Sequence, residues 1–103
     1  MCAKSGHPLF IVIRLIVDIS FDPAKRALTL KERGLDLADA GMVFAGRTIT
    51  VQDMRRDYGE DRFITAGYLA GRCVVMVWTH RDGTRRIISM RHVHGNEEAD
   101  WFG

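Results

Sequence analysis

The sequence predicts an α+β domain: a strand, two short helices and then an antiparallel sheet of three to four strands, with the helices packed on one face. In the first half of the chain, two segments with helical spacing each end at a glycine. Beyond residue 62, β-branched and aromatic residues surround the hairpin signal Asp82-Gly83. With 103 residues and 47% hydrophobic content, the chain is long enough for one domain with a modest core.

The first strand and the first helix are predicted from residues 9–34. Residues 9–21 are rich in Ile and Val, which indicates a strand whose regular part is its second half. Asp22 is a good N-cap, and Pro23 suits the first helical turn because the N–H that proline lacks would have no helical partner there. The helix then covers residues 24–33 and ends at Gly34.

The second helix and the remaining strands follow in order. Asp36 caps a helix that extends to about Phe44 and ends at Gly46. Residues 47–52 predict a short strand, and the charged residues after it predict a polar loop. Three more strands are predicted over residues 63–69, 72–80 and 85–93, with a turn at Ala70-Gly71 and a frayed helical turn over 96–101.

The chain divides into one domain with two short ends. We expect residues 1–15 to form an N-terminal extension, residues 16–98 the domain and residues 99–103 a tail. The apolar run over residues 9–17 is far shorter than the roughly 20 residues that span a bilayer, so no membrane contact is expected.

Cysteine and histidine usage indicates a cytoplasmic protein without a metal. Cys2 and Cys73 provide no disulfide framework, which fits a reducing compartment. His80, His92 and His94 lie near one another, but no CxxC or HxxxH pair accompanies them. We therefore expect neither a metal site nor a cofactor.

The segment HRDGTRRIISMRHVH, residues 80–94, is the most informative part of the chain. With Asp82-Gly83 as a two-residue turn, alternation assigns the side chains to two faces. The predicted pairs are Thr79–Arg86, His80–Arg85, Trp78–Ile87, Met76–Ser89 and Val74–Arg91. The predicted core face carries Cys73, Val75, Val77, Ile88 and Met90, and the predicted functional face carries Trp78, His80, Arg85, Ile87, Ser89 and Arg91.

This functional face suggests nucleic-acid binding. The formal net charge is only +2, so affinity for a polyanion must come from local clusters of cations. Arg85 and Arg91 can hold phosphate by bidentate hydrogen bonds, and His80 can exchange protons near neutral pH. An exposed Trp78, with Phe63 across the ladder, would serve as a stacking platform for single-stranded nucleic acid. The ordinary alternative is that each of these strand residues is simply solvated, and Ser89 is a small hydrogen-bonding residue that keeps the face open.

Two further charged segments are weaker candidates. The loop over residues 53–61 mixes Asp and Glu with Arg, a composition that is typical of a soluble surface. The basic residues of the first helix are also most often solvated, but Lys25 extends a phosphate-binding surface if the helix borders the cleft.

Four strings of the sequence resemble the BrnT family: FDPAK at 21–25, the glycine at the end of the first helix, GR at 71–72 and RIISMR at 86–91. The resemblance covers about residues 16–98, and it implies a RelE-like fold. It also implies a ribonuclease toxin of a type II toxin–antitoxin module, which blocks translation by cutting RNA without a metal. A DNA-binding antitoxin of the ribbon-helix-helix type, related to BrnA, would neutralise it, with a heterotetramer as the expected assembly.

The resemblance also assigns roles to residues. Arg86, Ser89 and Arg91 fall on the family's strand motif, and Arg81 falls on the arginine that commonly precedes the turn. Strand alternation places Ser89 and Arg91 on the face of His80, so Arg91 is ranked first for catalysis, with His80, Arg85 and Ser89 beside it. Arg81, Arg86, Trp78 and Lys25 are assigned to RNA binding. The chain departs from the family pattern at Thr29, Arg33, Tyr58 and Glu98.

Two other functions use the same face. One is a non-catalytic module that binds RNA or DNA. The other is an interaction subunit whose Trp78 and Phe63 only dock a partner helix or strand.

Overall fold

The computed structural model describes residues 18–103, which form a five-stranded mixed sheet with three α-helices. The elements are β1 (Ile19–Phe21), α1 (Pro23–Arg33), a 3₁₀ turn (Leu37–Asp39), α2 (Ala40–Phe44), β2 (Ile49–Gln52), β3 (Arg62–Leu69), β4 (Arg72–Arg81), β5 (Thr84–His92) and α3 (Glu97–Phe102). The strand order is β1-β5-β4-β3-β2, and only the β1–β5 pair is parallel. The predicted α+β class is confirmed. The predicted strand residues 9–17 lie outside the described part of the chain.

Helix α1 begins and ends where the sequence predicts. The Asp22 carboxylate accepts a hydrogen bond from the Ala24 N–H at 3.0 Å, and Pro23 occupies the first turn. Gly34 adopts a left-handed conformation with φ of 69° and donates its N–H to the Leu30 carbonyl. Only Thr29 of this helix is buried.

The second predicted helix is divided into the 3₁₀ turn and α2. Asp36 caps it by accepting from the Ala38 N–H at 2.9 Å, and its carboxylate also pairs with Arg26. Helix α2 packs so closely on β3 that a Cβ at Gly67 would lie 2.6 Å from a methyl of Val43. The glycine therefore allows the contact between helix and sheet.

The β4–β5 hairpin contains a bulge that changes its faces. Asp82 and Gly83 both have positive φ and form the two-residue turn, and the three predicted pairs nearest to it are confirmed: Thr79–Arg86, His80–Arg85 and Trp78–Ile87. Between Val77 and Trp78 the register shifts, so Ile88 has no opposite residue. The predicted pairs Met76–Ser89 and Val74–Arg91 are therefore wrong, and the observed pairs are Val77–Ser89 and Val75–Arg91.

The helix-covered face of the sheet forms the main core. It consists of Val74, Met76, Trp78, Ile87 and Met90, packed with Leu35, Leu37, Ala40 and Val43. Of the predicted core face, only Met90 belongs to this main core. Alternation along β4 grouped Cys73, Val75 and Val77 correctly, and Cys73 and Val75 are buried, but the prediction assigned the helices to the wrong side of β4. The bulge accounts for the misplaced faces in β5. Cys73, Val75 and Val77 lie on the opposite face instead, together with Ser89 and Arg91.

This opposite face is partly covered at one end by helix α3. Tyr68 pairs with Cys73 and therefore points away from the face of Gly67 that meets α2. The ring of Tyr68 lies 5.1 Å from that of Phe102, and its hydroxyl donates to Glu98 at 2.8 Å. The helices thus lie on both sides of the sheet, whereas the sequence predicted only one side.

Among the described residues, no helix has the length and apolar character needed to cross a membrane. Cys73 is buried, and burial raises the pKa of its thiol. Cys2 lies outside the described residues.

Candidate nucleic-acid cleft

A cleft of about 420 Å³ opens on the sheet face opposite the main core. It lies between the first turn of α1, the loop after β2 and the middle of the β4–β5 hairpin. Its lining consists of Lys25, Arg55, Arg56, Tyr58, Arg62, Val77, Ile88 and Ser89. Four of these side chains are cations and none is a carboxylate. Arg55 and Arg62 pair with Asp53 and Glu60 behind the lining, whereas Lys25 and Arg56 form no ion pair with another described residue, so the lining favours a polyanion.

The loop of the cleft is held by one buried carboxylate. Asp53 is 4% exposed, and its backbone N–H donates to the Arg62 carbonyl at the edge of β3. Arg55 donates two guanidinium hydrogen bonds to Asp53, both of 2.7 Å, and the Tyr58 hydroxyl donates to it at 3.1 Å. These bonds hold the pKa of the Asp53 carboxyl well below its usual range, the Arg55 side chain contributing most despite the opposing effect of burial. The loop is therefore an anchored structure.

Tyr58 lies between two arginines of the cleft. The guanidinium of Arg62 is 4.1 Å from the centre of the Tyr58 ring, and that of Arg56 is 5.2 Å from it. Arg62 also donates to Glu60 at 3.2 Å, and Glu60 accepts from Arg81 at the same distance. The ring and the carboxylate thus hold the arginines in place.

The bulge supplies the floor of the cleft. Ile88, the residue without an opposite partner, lines it beside Ser89 and Val77. If Ile88 instead paired with Val77 in a regular ladder, Ser89 would lie opposite Met76 and face the core.

Arg91 lies two residues beyond Ser89 on the same face. Its guanidinium forms two hydrogen bonds of 2.8 Å with the Glu97 carboxylate, which also accepts from the His94 backbone N–H at 3.0 Å. The bond from Arg91 lowers the pKa of Glu97 to about 2, with a further contribution from His94. Arg55 is near enough for its charge to oppose the rise in the pKa of Arg91 that Glu97 causes. Arg91 therefore lies near the cations of the cleft with its own charge paired to Glu97.

Four residues predicted for the functional face lie on the other side of the sheet: Trp78, His80, Arg85 and the core residue Ile87. Trp78 is 4% exposed, stacks on Phe63 at 4.8 Å and donates its indole N–H to Thr65 at 2.8 Å. Arg85 lies 4.7 Å from the Trp78 ring, and burial lowers the pKa of its guanidinium. His80 is exposed at the same side, 5.1 Å from that ring. The predicted exposed stacking platform at Trp78 is wrong, because the indole belongs to the core.

The bulge also regroups the other predicted RNA-binding arginines. Arg81 and Arg86 lie on the same face as Ser89 and Arg91, although the sequence predicted opposite faces. Arg81 pairs with Glu60 at the end of the hairpin. Arg81 and Arg86 are not part of the lining of the cleft, whereas Lys25 is.

Sequence reasoning missed the contribution of the loop. Arg55, Arg56, Tyr58 and Arg62 line the cleft, although the mixed charges of this segment were interpreted as ordinary surface. The available signal was the string DMRRDY: its carboxylate precedes an arginine and a tyrosine that are able to fold back onto it.

The profile of the BrnT toxins, described as the ribonuclease toxin of type II toxin–antitoxin systems, matches residues 21–97. The chain belongs to the BrnT family. The match begins at the last residue of β1 and includes every residue that lines the cleft. It therefore assigns the chain to the ribonuclease toxins at the level of the family.

The BrnT assignment rests on the family profile alone, since no curated protein matched the chain. The described part of this BrnT chain brings no three His, Cys, Asp or Glu side chains together in the arrangement of a metal site.

Proposed function

We propose that the cleft binds single-stranded RNA and cleaves it without a metal ion, and that this cleavage inhibits translation. The observation that carries the proposal is the lining, in which four cations surround a hydroxyl-bearing strand residue and no carboxylate intrudes. Such a group of fixed positive charges stabilises the negative charge that develops on phosphoryl oxygens during cleavage.

The proposed reaction is an internal transfer. The ribose 2′-oxygen attacks the adjacent phosphorus, the bond from phosphorus to the 5′-oxygen of the next nucleotide breaks, and a cyclic phosphate forms. The 2′-hydroxyl loses its proton, and the leaving 5′-oxygen gains one. Lys25 and Arg56 hold the phosphoryl oxygens, while the hydroxyls of Ser89 and Tyr58 relay protons.

Arg91 is proposed as the next cation along the RNA. Its guanidinium is held by Glu97 at the end of the cleft, which gives it a fixed orientation toward the substrate. His80 and Arg85 are not included, because they lie across the sheet from Ser89. Trp78 is excluded from base stacking by its burial.

We further infer a cytoplasmic protein that is neutralised by a DNA-binding antitoxin of the ribbon-helix-helix type, in a heterotetramer with an antitoxin dimer. The type II toxin–antitoxin family supports an antitoxin partner. A reading frame with a ribbon-helix-helix pattern beside the gene, and co-purification of its product with this chain, would test the assignment.

The cleavage assay uses the pure, partner-free protein with single-stranded RNA in excess EDTA. We expect RNA cleavage by the parent protein, and a loss of about 100-fold or more in Lys25→Ala or Arg56→Ala, by analogy with removal of one charge-stabilising donor from an active site. Lys31→Ala, an exposed change on the same helix as Lys25, is the matched control and should keep parental activity. Intact RNA in the parent reaction would overturn the proposal.

A further inference from the structure

A second cavity, of about 270 Å³, lies beyond the cleft along β5. It is lined by Arg33, Arg91, His92 and His94. Every one of these side chains is either a permanent cation or a base that gains a positive charge on protonation. The cavity is thus suited to an anion.

The cavity is formed by contact between two elements. Arg33, in the last turn of α1, donates a guanidinium hydrogen bond of 2.9 Å to the Met90 carbonyl. This bond holds α1 against β5 and leaves the other guanidinium nitrogens of Arg33 available to a ligand. His94 follows the end of β5 and is exposed. Arg33 and His94 therefore provide side-chain donors that no residue from 18 to 103 engages.

The net charge of the second cavity remains positive after the Arg91–Glu97 ion pair is counted. Glu97 binds Arg91 through both terminal nitrogens, so this ion pair contributes no net charge to the cavity. Arg33 adds a full positive charge, and the imidazole of His94 adds a ring N–H donor. Burial lowers the pKa of the His92 imidazole, and the charge of Arg72 lowers it further. His92 therefore favours its neutral form, which adds no charge to the cavity.

The second cavity is in line with the cleft. Ser89 lies in the first cavity and Arg91 in the second, and two residues of a strand extend over about 6.6 Å. That separation is comparable to one nucleotide step along an extended RNA backbone. The lining residues of the two cavities are therefore close enough along β5 to contact consecutive phosphates of one strand.

We propose that Arg33, Arg91 and His94 form a subsite for the phosphate adjacent to the one that is cleaved. The inference rests on the proposed cleavage function and deepens it, since it specifies a substrate that extends at least one charged linkage beyond the reacting one. Arg33 and His94 bind the non-reacting oxygens, and the Arg91–Glu97 pair forms the boundary between the two cavities.

The test uses short single-stranded RNAs in which one linkage at a time is a neutral methylphosphonate. In the parent protein, neutralising one linkage next to the cleavage point should lower kcat/KM by about tenfold, the effect of losing one charge-assisted hydrogen bond. In Arg33→Gln and His94→Gln, kcat/KM for the fully charged RNA should fall by a similar factor, and the neutral linkage should then cost nothing further.

Two controls make the outcome decisive. Lys31→Gln removes a charge from the same last turn of α1 and should retain the full effect of the neutral linkage. Binding of a 2′-O-methyl RNA, measured by fluorescence anisotropy, reports the subsite without chemistry. If Arg33→Gln fails to fold, His94→Gln, a change at an exposed position, carries the test in both assays. If His94→Gln and Arg33→Gln cut RNA and still lose as much kcat/KM as the parent when the adjacent linkage is neutral, the subsite is overturned. The proposed cleavage function would stand. A parent protein that cuts no RNA would instead overturn the proposed function.

Discussion

Trp78 shows how one hydrogen bond separates a structural role from a binding role. Its indole N–H donates to Thr65, a residue with no exposed surface, and its ring packs between Phe63 and Phe44. A buried indole without its acceptor would carry a large desolvation cost. The residue therefore stabilises the fold, although its size and position suggested a platform for bases.

Trp78→Phe should lower the free energy of unfolding by about 1–3 kcal/mol, because it removes the donor to Thr65 and part of a core side chain. RNA affinity per folded molecule should remain unchanged. Urea denaturation and anisotropy titration measure the two quantities separately, and Thr65→Val, which removes the acceptor, is the companion variant. Weaker RNA binding at unchanged stability would show instead that the indole contacts the nucleic acid.

Glu97 gives the molecule an acid-sensitive contact. Its pKa falls from 4.5 to about 2 in the folded protein because Arg91 and the His94 N–H stabilise the carboxylate. The contact contributes its full stability above the unfolded pKa of about 4.5 and loses it as the pH falls toward 2.

Glu97→Gln should therefore cost about 1 kcal/mol at neutral pH, since both partners are partly solvated, and nearly nothing at pH 2. Thermal unfolding at a series of pH values checks the difference between the variant and the parent. A constant difference between Glu97→Gln and the parent from pH 7 to pH 2 would rule out the ion pair as its cause.

At the scale of elements, the contact between α2 and β3 depends on a missing side chain. A Cβ at Gly67 would meet Val43 at 2.6 Å and Thr48 at 3.0 Å, both closer than a packed interior allows without movement. Because Gly67 does not need a positive φ, the conflict is one of space alone.

Gly67→Ala should lower the free energy of unfolding by about 1–3 kcal/mol, the range for overpacking a core. The double variant Gly67→Ala/Val43→Ala removes the clashing methyl and should be less unstable than the two single effects added together. Gly46→Ala, where the nearest atom would be 3.8 Å away, is the control. Strict additivity in the double variant would contradict the proposed clash.

The elements differ in how well local sequence predicts them. The helix ends are fixed by Asp22, Asp36 and Gly34 through hydrogen bonds to residues two to four positions away. Because these bonds are local, the sequence alone predicts where the helices begin and end. The turn at Asp82-Gly83 fixes the four pairs of the hairpin that precede the bulge for the same reason. The bulge at Ile88 has no such marker, because Ile87 and Ile88 are identical in type and only the packing around them distinguishes core from cleft.

The candidate site was predictable only in part for a related reason. Ser89 and Lys25 were selected from their motif and their helix, and both line the cleft. The orientation of the arginines in the loop depends on Asp53, whose burial follows from its hydrogen bond to β3. The composition of this loop predicts a solvated surface. Its hydrogen bond to β3 instead holds its arginines in the lining of the cleft.

At the scale of the whole molecule, a nearly neutral protein brings four cations together in one cleft on one face of the sheet. The formal net charge is +2, yet the cleft lining alone has four cations. Binding of RNA by this face should release counterions in proportion to the phosphates that are neutralised.

For a 2′-O-methyl RNA, the plot of log affinity against log salt should have a slope of about −3 if four phosphates are neutralised, and Lys25→Gln should make it shallower by about 0.7. Anisotropy titrations over a range of KCl concentrations measure this slope. Lys31→Gln removes the same charge outside the cleft and should leave the slope as it is. Equal changes in the two variants would indicate diffuse attraction in place of a defined groove.

Because of its bulge, β5 should tolerate the loss of a residue at Ile88 but not the gain of a residue just after Ser89. Loss of Ile88 would restore a regular ladder and leave Met90 in the core and Arg91 outside, so the fold should survive this deletion while the cleft loses part of its floor. An extra residue inserted just after Ser89 would exchange the two, which would place a guanidinium in the core and a thioether in the cleft. Each one-residue insertion or deletion in this strand therefore moves every following side chain to the other face of the sheet. The bulge at Ile88 is one such insertion that the protein already contains.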